Sequence, residues 1–288
     1  MKQLLVILLF AATAQAAVLE GDLDGAPYRI CVPDHWNGTL LVYAHGYRDR
    51  ADRAGEKEDR SVNLAPSPAE APQLPAMEDA LLARGYALAA SAFRRNGWAI
   101  EEGTADTIVL ARRFNERFGR PKRTIALGVS LGALMVLEIA EMQPNLFDGA
   151  ICACGPVAGS TLTWQSVLAF AQAYDAAFGW PKAWGTVRDV RDDLDFETEV
   201  VPVLLQQLQD PASLPKFEAL RGAARLPFPG FYDGQAPSPW LFLVTYFATE
   251  GRAELEQRIG GAIGDSSYLK ANFDPSGALR MPLLALHT

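Results

Sequence analysis

A serine between two glycines is the residue best suited to chemistry in this chain of 288 residues. The run Gly128-Val129-Ser130-Leu131-Gly132 stands between an apolar segment typical of a strand and an apolar segment typical of a helix. Small residues two positions before and after a serine permit a sharp turn that leaves its hydroxyl exposed. The first N–H groups of the helix then point at the same spot. The pattern predicts Ser130 as a nucleophile and Leu131 as an oxyanion donor, with a plain Gly-Ser turn as the alternative.

A second run predicts the other half of such a site. Residues 39–47 read TLLVYAHGY, an apolar strand that ends in His45-Gly46-Tyr47. Gly46 has no Cβ, so its N–H can approach a ligand closely. Because the carboxyl ends of parallel strands share one edge of a sheet, we expect Gly46 and Ser130 to meet there. The cleft at that edge is expected to be roofed by residues 160–272.

Together these runs resemble the α/β-hydrolase superfamily, in particular its secreted bacterial serine esterases, lipases and prolyl-oligopeptidase-like peptidases. The resemblance covers about residues 39–156 and the last strand. It implies that Ser130 matches the nucleophile, and that Gly46 and Tyr47 belong to the oxyanion loop. In that family the histidine at the position of His45 supports the loop and rarely acts as the base, so His45 is a possible pocket residue. The resemblance also implies a mostly parallel central sheet with flanking helices and a helical cap insertion.

The general base is the missing part of this site. A serine needs a neighbouring base, and the chain has only His35, His45 and His287. His35 lies in a predicted turn between two strands, far from Ser130 in topology. His287 is a weak alternative base, with Asp265 or Asp274 as its orienting acid. The family places its acid and histidine after a late strand like the one near residue 286, so we expect a C-terminally truncated chain with little hydrolytic activity of its own.

Composition and charge exclude several classes of function. The net charge is −8 and no basic run is long, which argues against nucleic acid as a partner. Residues 1–16 read as a secretory signal with cleavage after Ala16, which predicts a secreted or periplasmic protein. No other apolar run is long enough to span a bilayer, which argues against an integral membrane protein. No cluster of Cys and His has the spacing of metal ligands, and no cofactor is predicted.

Alternating α and β segments predict an α/β fold with a mostly parallel sheet. We expect a first part of the core at 17–159, a helical cap or lid at 160–275 and a late core strand at 276–288. The helical stretches of the cap are expected at 164–178, 200–208 and 240–259. Residues 48–75 are charged and then rich in Pro and Ala, which predicts a solvated loop. That loop either rims the site or is a surface insertion without a role.

Further expectations concern single side chains. Trp98 lies in a segment, RRNGWAIEEG, that is similar to an NGW segment of secreted bacterial relatives, and it either lines the pocket or anchors the loop by packing. Thr104 is predicted to cap a helix over residues 104–118. Cys152 and Cys154 face the same side of a predicted strand and cannot easily bond to each other. We expect at least two of the three cysteines to pack in apolar surroundings, with a bridge to Cys31 as the alternative.

These features predict an exported serine hydrolase of acyl compounds, most simply one that hydrolyses carboxylic esters through an acyl-enzyme on Ser130. A peptidase of the same fold is one alternative, because the turn around the serine does not distinguish esters from amides. A non-catalytic protein of the same fold that binds a ligand is the other. The expected partner is a small ester or a peptide-like substrate.

Overall fold

The structure is a computed structural model, and it describes residues 17–51, 57–66, 77–223, 239–263, 272–273 and 279–280. The chain divides into two compact units. The first comprises Met1–Tyr47 and Asp59–Val157, and the second comprises Arg48–Glu58 and Ala158–Thr288. The predicted signal at 1–16 lies outside the described residues.

The first unit alternates strands and helices. In chain order they are β1 (Ala17–Leu23), β2 (Ala26–Val32), β3 (Thr39–Ala44), α1 (Glu78–Ala83), β4 (Ala87–Ser91), α2 (Ile100–Phe118), β5 (Arg123–Val129), α3 (Leu131–Met142) and β6 (Gly149–Ala153).

Six strands form one sheet in the order β1-β2-β4-β3-β5-β6. The pairs β3·β4, β3·β5 and β5·β6 are parallel, whereas β1 and β2 add an antiparallel hairpin at one edge. Every residue of β4 is buried, and so are five of the six residues of β3. Parallel strands covered on both faces read as continuous apolar runs, which is why the sequence pattern identifies them. The predicted α/β class, a mostly parallel central sheet with flanking helices, is confirmed.

Helix α2 begins four residues earlier than predicted. It starts at Ile100, so Thr104 lies inside the helix and the predicted cap at that residue is wrong. The Thr104 hydroxyl instead donates a hydrogen bond to Glu138 on α3, at 2.9 Å. Glu101 and Glu102 in the first turn suit the positive end of the helix dipole, which favours the earlier start.

The loop after β3 is less solvated than predicted. Within the predicted loop, Leu64 and Ala65 are only 0 % and 3 % exposed. Leu64 packs in a core cluster with Leu41, Tyr43 and Leu88 from β3 and β4. The many charged residues earlier in the segment favoured the prediction of a solvated loop, although Leu64 and Ala65 pack in the core.

The cysteine prediction is wrong for two of the three residues. Cys31 is buried, but Cys152 and Cys154 are exposed, and all three are free thiols. Among the strands that the structure describes, β6 is at the edge of the six-stranded sheet, and Cys154 lies directly after it.

The second unit is mostly helical over its described residues. Its α-helices and strands are α4 (Ser160–Phe178), β7 (Gly185–Thr186), β8 (Asp189–Val190), α5 (Val201–Leu208), α6 (Leu214–Ala223), α7 (Pro239–Ala248), α8 (Glu250–Ile259), β9 (Asn272–Phe273) and β10 (Leu279–Arg280). The two-residue strands form separate hairpin pairs, β7 with β8 and β9 with β10. The predicted helical stretch at 240–259 is two helices that break at Thr249, whose hydroxyl donates to the Thr245 carbonyl at 2.7 Å. Apart from Leu279–Arg280, the predicted late strand at 276–288 lies outside the described residues.

Aromatic packing and a buried cation stabilise this unit. Tyr174 lies among Phe178, Trp180 and Trp184, and its hydroxyl donates to Gln207 at 2.7 Å. Burial raises the pKa of Tyr174 well above its ordinary value.

The buried cation is Arg252 on α8. It is 1 % exposed, and its guanidinium donates to Glu256 and to the carbonyls of Val187 and Arg188 in the turn between β7 and β8. A buried cation is tolerated only when its donors are satisfied, so Arg252 fixes that turn against α8. Among the described residues, no helix is both long enough and apolar enough to cross a membrane.

The exposure of the cysteines leads to a prediction. In the folded protein, Cys152 and Cys154 should react with a thiol reagent such as a chromogenic disulfide, whereas Cys31 should react only in denaturant. Burial raises the pKa of the Cys31 thiol and also blocks access to it. Two thiols released per native chain and three per denatured chain are expected. The Cys31→Ala variant should still release two in the folded state, and a native count of one or none would contradict the exposed edge at β6.

Candidate active site

Ser130 occupies a strained turn between β5 and α3. Its backbone has φ 54° and ψ −123°, a conformation that residues with side chains rarely adopt. The Ser130 N–H donates to the Ala153 carbonyl at 2.9 Å, and the Ser130 carbonyl accepts from Ala133 at 3.0 Å. Both backbone groups are therefore satisfied, while the residue itself is exposed. This is the geometry that presents a serine hydroxyl for reaction.

Two glycines make the turn possible by allowing backbone to touch backbone. A Cβ on Gly128 would lie 2.2 Å from the carbonyl oxygen of Gly132. A Cβ on Gly132 would lie 2.1 Å from the carbonyl oxygen of Ala44 and 2.6 Å from that of His45. No side chain fits at such distances, so α3 begins directly against the ends of β3 and β5.

Sheet register brings the His45-Gly46 loop beside Ser130. In the pairing of β3 with β5, Ala44 lies opposite Gly128. Strand β3 ends at Ala44, and β5 ends one residue further, at Val129, directly before Ser130. A Cβ on Gly46 would lie 3.1 Å from the Cβ of Ser130 and 3.7 Å from its Oγ. The two runs that the sequence analysis singled out therefore meet at the carboxyl edge of the sheet.

His45 is buried and bonded to its own loop. It is 3 % exposed, its ring stacks on Phe93 with centroids 4.0 Å apart, and its Nδ1 lies 2.7 Å from the Gly46 carbonyl oxygen. A carbonyl can only accept, so Nδ1 must carry the proton in this bond. Because a trans peptide is planar, its N–H points opposite to its C=O. The bond from His45 thus sets the direction of the Tyr47 N–H.

The remaining predicted site residues have different surroundings. Leu131 is the first residue of α3, where an N–H has no acceptor within the helix, and its side chain is 2 % exposed. Trp98 precedes α2 and is 9 % exposed, so it is mostly packed, and its place in a pocket stays a prediction. Within the described part of the chain, no group of three or more His, Cys, Asp or Glu side chains could hold a metal ion.

The structure narrows the choice of base. His35 lies in the connection from β2 to β3, at the amino end of β3, and its Nε2 is 3.1 Å from the Ala83 carbonyl oxygen. Ser130 follows the carboxyl end of β5, so the two residues lie at opposite edges of the parallel sheet. His287, Asp265 and Asp274 lie outside the described residues.

Sequence reasoning missed two residues at this edge. A Cβ on Gly155 would lie 2.6 Å from the Ser130 carbonyl oxygen and 2.3 Å from the Ala133 Cβ, so Gly155 lets the end of β6 approach the turn. The Gly-Pro pair after a strand was the available signal. Phe93 has φ 55°. No sequence signal indicates a left-handed aromatic residue.

The glycine contact leads to a prediction about stability. Gly132→Ala should lower the free energy of unfolding by about 3 kcal/mol or more, because its Cβ would overlap two backbone carbonyls. Gly149→Ala, in β6 of the same unit, is the matched control, since its Cβ would meet only the Ile125 side chain, at an ordinary 3.6 Å. Urea denaturation measures both, and equal stabilities of the two variants would refute the proposed tight contact.

The sequence matches the model of a known protein family. Residues 11–181 match the model of the tannase-like family of unknown function, DUF6351. A stretch of 135 residues is 27 % identical to the o-phthalyl amidase of Xanthobacter agilis, covering 46 % of this chain and 25 % of that protein. The chain thus spans about a quarter of the length of that relative.

Among solved structures, the esterase Pf2001 of Pyrococcus furiosus is 16 % identical, with 58 % of this chain and 57 % of that chain covered and a TM-score of 0.38. Est1E from Butyrivibrio proteoclasticus is 13 % identical, with 52 % and 55 % covered and a TM-score of 0.35. The acylaminoacyl peptidase of Pyrococcus horikoshii is 13 % identical, with 57 % and 25 % covered and a TM-score of 0.34. Sequence identities and TM-scores as low as these do not indicate a shared activity. The family match covers more than half of the chain, and the chain therefore belongs to the tannase-like family of unknown function.

Proposed function

We propose that this protein is a serine hydrolase that cleaves carboxylic esters or the related amides through an acyl-enzyme on Ser130. One observation carries the proposal: an exposed serine in a strained turn at the N-terminus of α3, with Gly46 packed against it. Backbone strain of this kind persists where surrounding structure enforces it, and it is concentrated at functional sites. The tannase-like family and the amidase relative support a hydrolase.

The proposed reaction follows from the positions of the donors. The Ser130 Oγ attacks the acyl carbon while its proton passes to a base, and the carbonyl oxygen becomes an oxyanion. The N–H groups of Leu131 and Tyr47 stabilise that oxyanion, because both belong to the edge where Ser130 is exposed. Collapse of the tetrahedral intermediate expels the alcohol or amine, which takes up the proton. Water then releases the acid and restores Ser130.

Among the histidines of this sequence, His287 is the weak candidate for the base, with Asp265 or Asp274 as its acid. His35 lies at the amino end of β3, at the opposite edge of the sheet from Ser130. His45 is buried, stacked on Phe93 and bonded to its own loop, which suits a supporting role in that loop. The same proposal includes export directed by residues 1–16 and a cap formed by residues 160–275.

Two classes of acyl compound, esters and amides, fit the proposed reaction. An ester is the simpler substrate, because an alkoxide can leave without prior protonation, whereas the nitrogen of an amide must first be protonated. The named relative is an amidase, which supports amides of aromatic acids as the second class. A ligand-binding protein without catalysis is the remaining candidate, and it would keep the exposed serine without a functioning base.

The first functional prediction concerns the nucleophile. The full chain should react covalently with a fluorophosphonate probe, and peptide mass spectrometry should place the adduct on Ser130. Ser130→Ala should abolish labelling and lower any hydrolysis of p-nitrophenyl benzoate by at least about 1,000-fold, because nothing replaces the attacking oxygen.

Matched benzoyl ester and benzoyl p-nitroanilide substrates separate esterase from amidase. The His287→Ala variant tests the base. Absence of both labelling and turnover in folded wild-type protein would favour the ligand-binding alternative, and labelling at another residue would exclude Ser130 as the nucleophile.

A second functional prediction uses Gly46. Its backbone does not need a glycine conformation, yet an added Cβ would lie only 3.1 Å from the Cβ of Ser130, so one of the two residues must shift. Gly46→Ala should therefore fold but reduce the labelling rate at Ser130 by about 10- to 100-fold, since a displaced nucleophile or oxyanion loop is costly. Gly149→Ala serves as the control and should retain the wild-type rate. An unchanged rate in Gly46→Ala would argue against a role for this loop.

A further inference from the structure

Phe93 is a strained residue close to the candidate oxyanion loop. It lies two positions after β4, is 1 % exposed and has φ 55°. Aromatic residues rarely adopt left-handed backbone, so the surroundings must hold it there. Its N–H donates to the Ser91 Oγ at 3.0 Å, and its carbonyl accepts from the Arg60 guanidinium at 3.1 Å. Both polar groups of the strained peptide are thus fixed.

Asp106 fixes the following residue. The Arg94 N–H donates to one carboxylate oxygen of Asp106 at 2.7 Å, and the Arg94 Nε donates to the other at 2.7 Å. The Asp106 side chain is 1 % exposed, on α2. Hydrogen bonds to a charged group are stronger than neutral ones, and a buried carboxylate needs them. Asp106 therefore anchors the turn that contains Phe93.

The Phe93 ring transmits this anchoring to His45. The two rings are stacked, with an interplanar angle of 25°. Helix α2 also approaches the Phe93 ring, because a Cβ on Gly103 would lie 3.0 Å from its Cε2. Packing on the ring limits rotation of the His45 imidazole, whose Nδ1 holds the Gly46 carbonyl.

We propose that Phe93 and Asp106 are positioning residues of the candidate oxyanion loop. Asp106 fixes the backbone at Arg94, and Phe93 holds the His45 ring in the orientation that keeps its Nδ1 on the Gly46 carbonyl. The effect on reaction rate rests on the proposed hydrolase function. The effect on the loop can be measured without any activity.

The kinetic test compares Phe93→Leu and Asp106→Asn with wild type. Each should lower kcat, or the rate of fluorophosphonate labelling, by about 10- to 100-fold, because the oxyanion donors lose their alignment. The KM should change by less than about threefold, since neither residue is proposed to touch substrate.

Two variants in the same unit serve as matched controls. Phe114→Leu removes a fully buried ring on α2 and is the control for Phe93→Leu. Asp148→Asn is the control for Asp106→Asn, because the Asp148 carboxylate accepts a hydrogen bond from the Thr124 N–H at 2.7 Å, at the amino end of β5. Both controls should lose stability but keep kcat within about threefold. Equal losses of kcat in test and control variants would overturn the proposal.

Nuclear magnetic resonance provides the readout that does not depend on activity. In Phe93→Leu the ring ¹⁵N signals of His45 and the amide signal of Tyr47 should shift, whereas in Phe114→Leu they should not. If Phe93→Leu does not fold, Asp106→Asn carries the same test. Unchanged His45 and Tyr47 signals in the folded variants would refute the positioning role. A wild-type protein that reacts with no acyl or phosphonate compound would refute the hydrolase function, and the signals would still decide this inference.

Discussion

Direct contact between backbones at the start of α3 is the constraint on which the rest of the first unit depends. Gly132 lies so close to the Ala44 and His45 carbonyls that a single added carbon would overlap them. Gly128, in β5, contacts the backbone of Gly132 and Ala133 in the first turn of the same helix. This contact fixes where α3 begins, and with it the position of Ser130. The same contact places the end of β3 next to the turn.

The strain at Ser130 is balanced by its neighbours. A residue with a side chain in this conformation costs of order 1–3 kcal/mol. The cost is offset by the hydrogen bond to Ala153 on β6 and by the buried face of α3, which includes Met135, Val136 and Ile139. Phe93 shows the same arrangement at the end of β4, where hydrogen bonds and packing hold a second left-handed residue. Cys154, directly after β6, also has a positive φ of 52°. Strained positions thus follow three of the parallel strands, at the edge of the sheet where ligands bind in open α/β folds.

The second unit is stabilised in a different way. Its described helices are held by stacked aromatic rings around Tyr174 and by the satisfied guanidinium of Arg252. Arg48–Glu58 also belongs to this unit, although it directly follows Tyr47 in the chain. The Tyr246 hydroxyl of α7 donates to Asp49 in that segment. A charged stretch next to the candidate oxyanion loop therefore packs with the helical unit, which no composition pattern indicated.

The sequence by itself determined the elements whose signals are local. Continuous apolar runs identified the buried parallel strands, and the glycines around Ser130 identified the turn, because both patterns reflect what each short segment can adopt. Only the tertiary structure decided the start of α2, the exposure of Cys152 and the left-handed backbone of Phe93. Each of these depends on a partner distant in sequence: Glu138 on α3 for Thr104, the edge position of β6 for the cysteine, and Arg60 and the Asp106 anchor for Phe93. Contacts of this kind leave no periodicity to read, since the energy that favours them exists only once the sheet has formed.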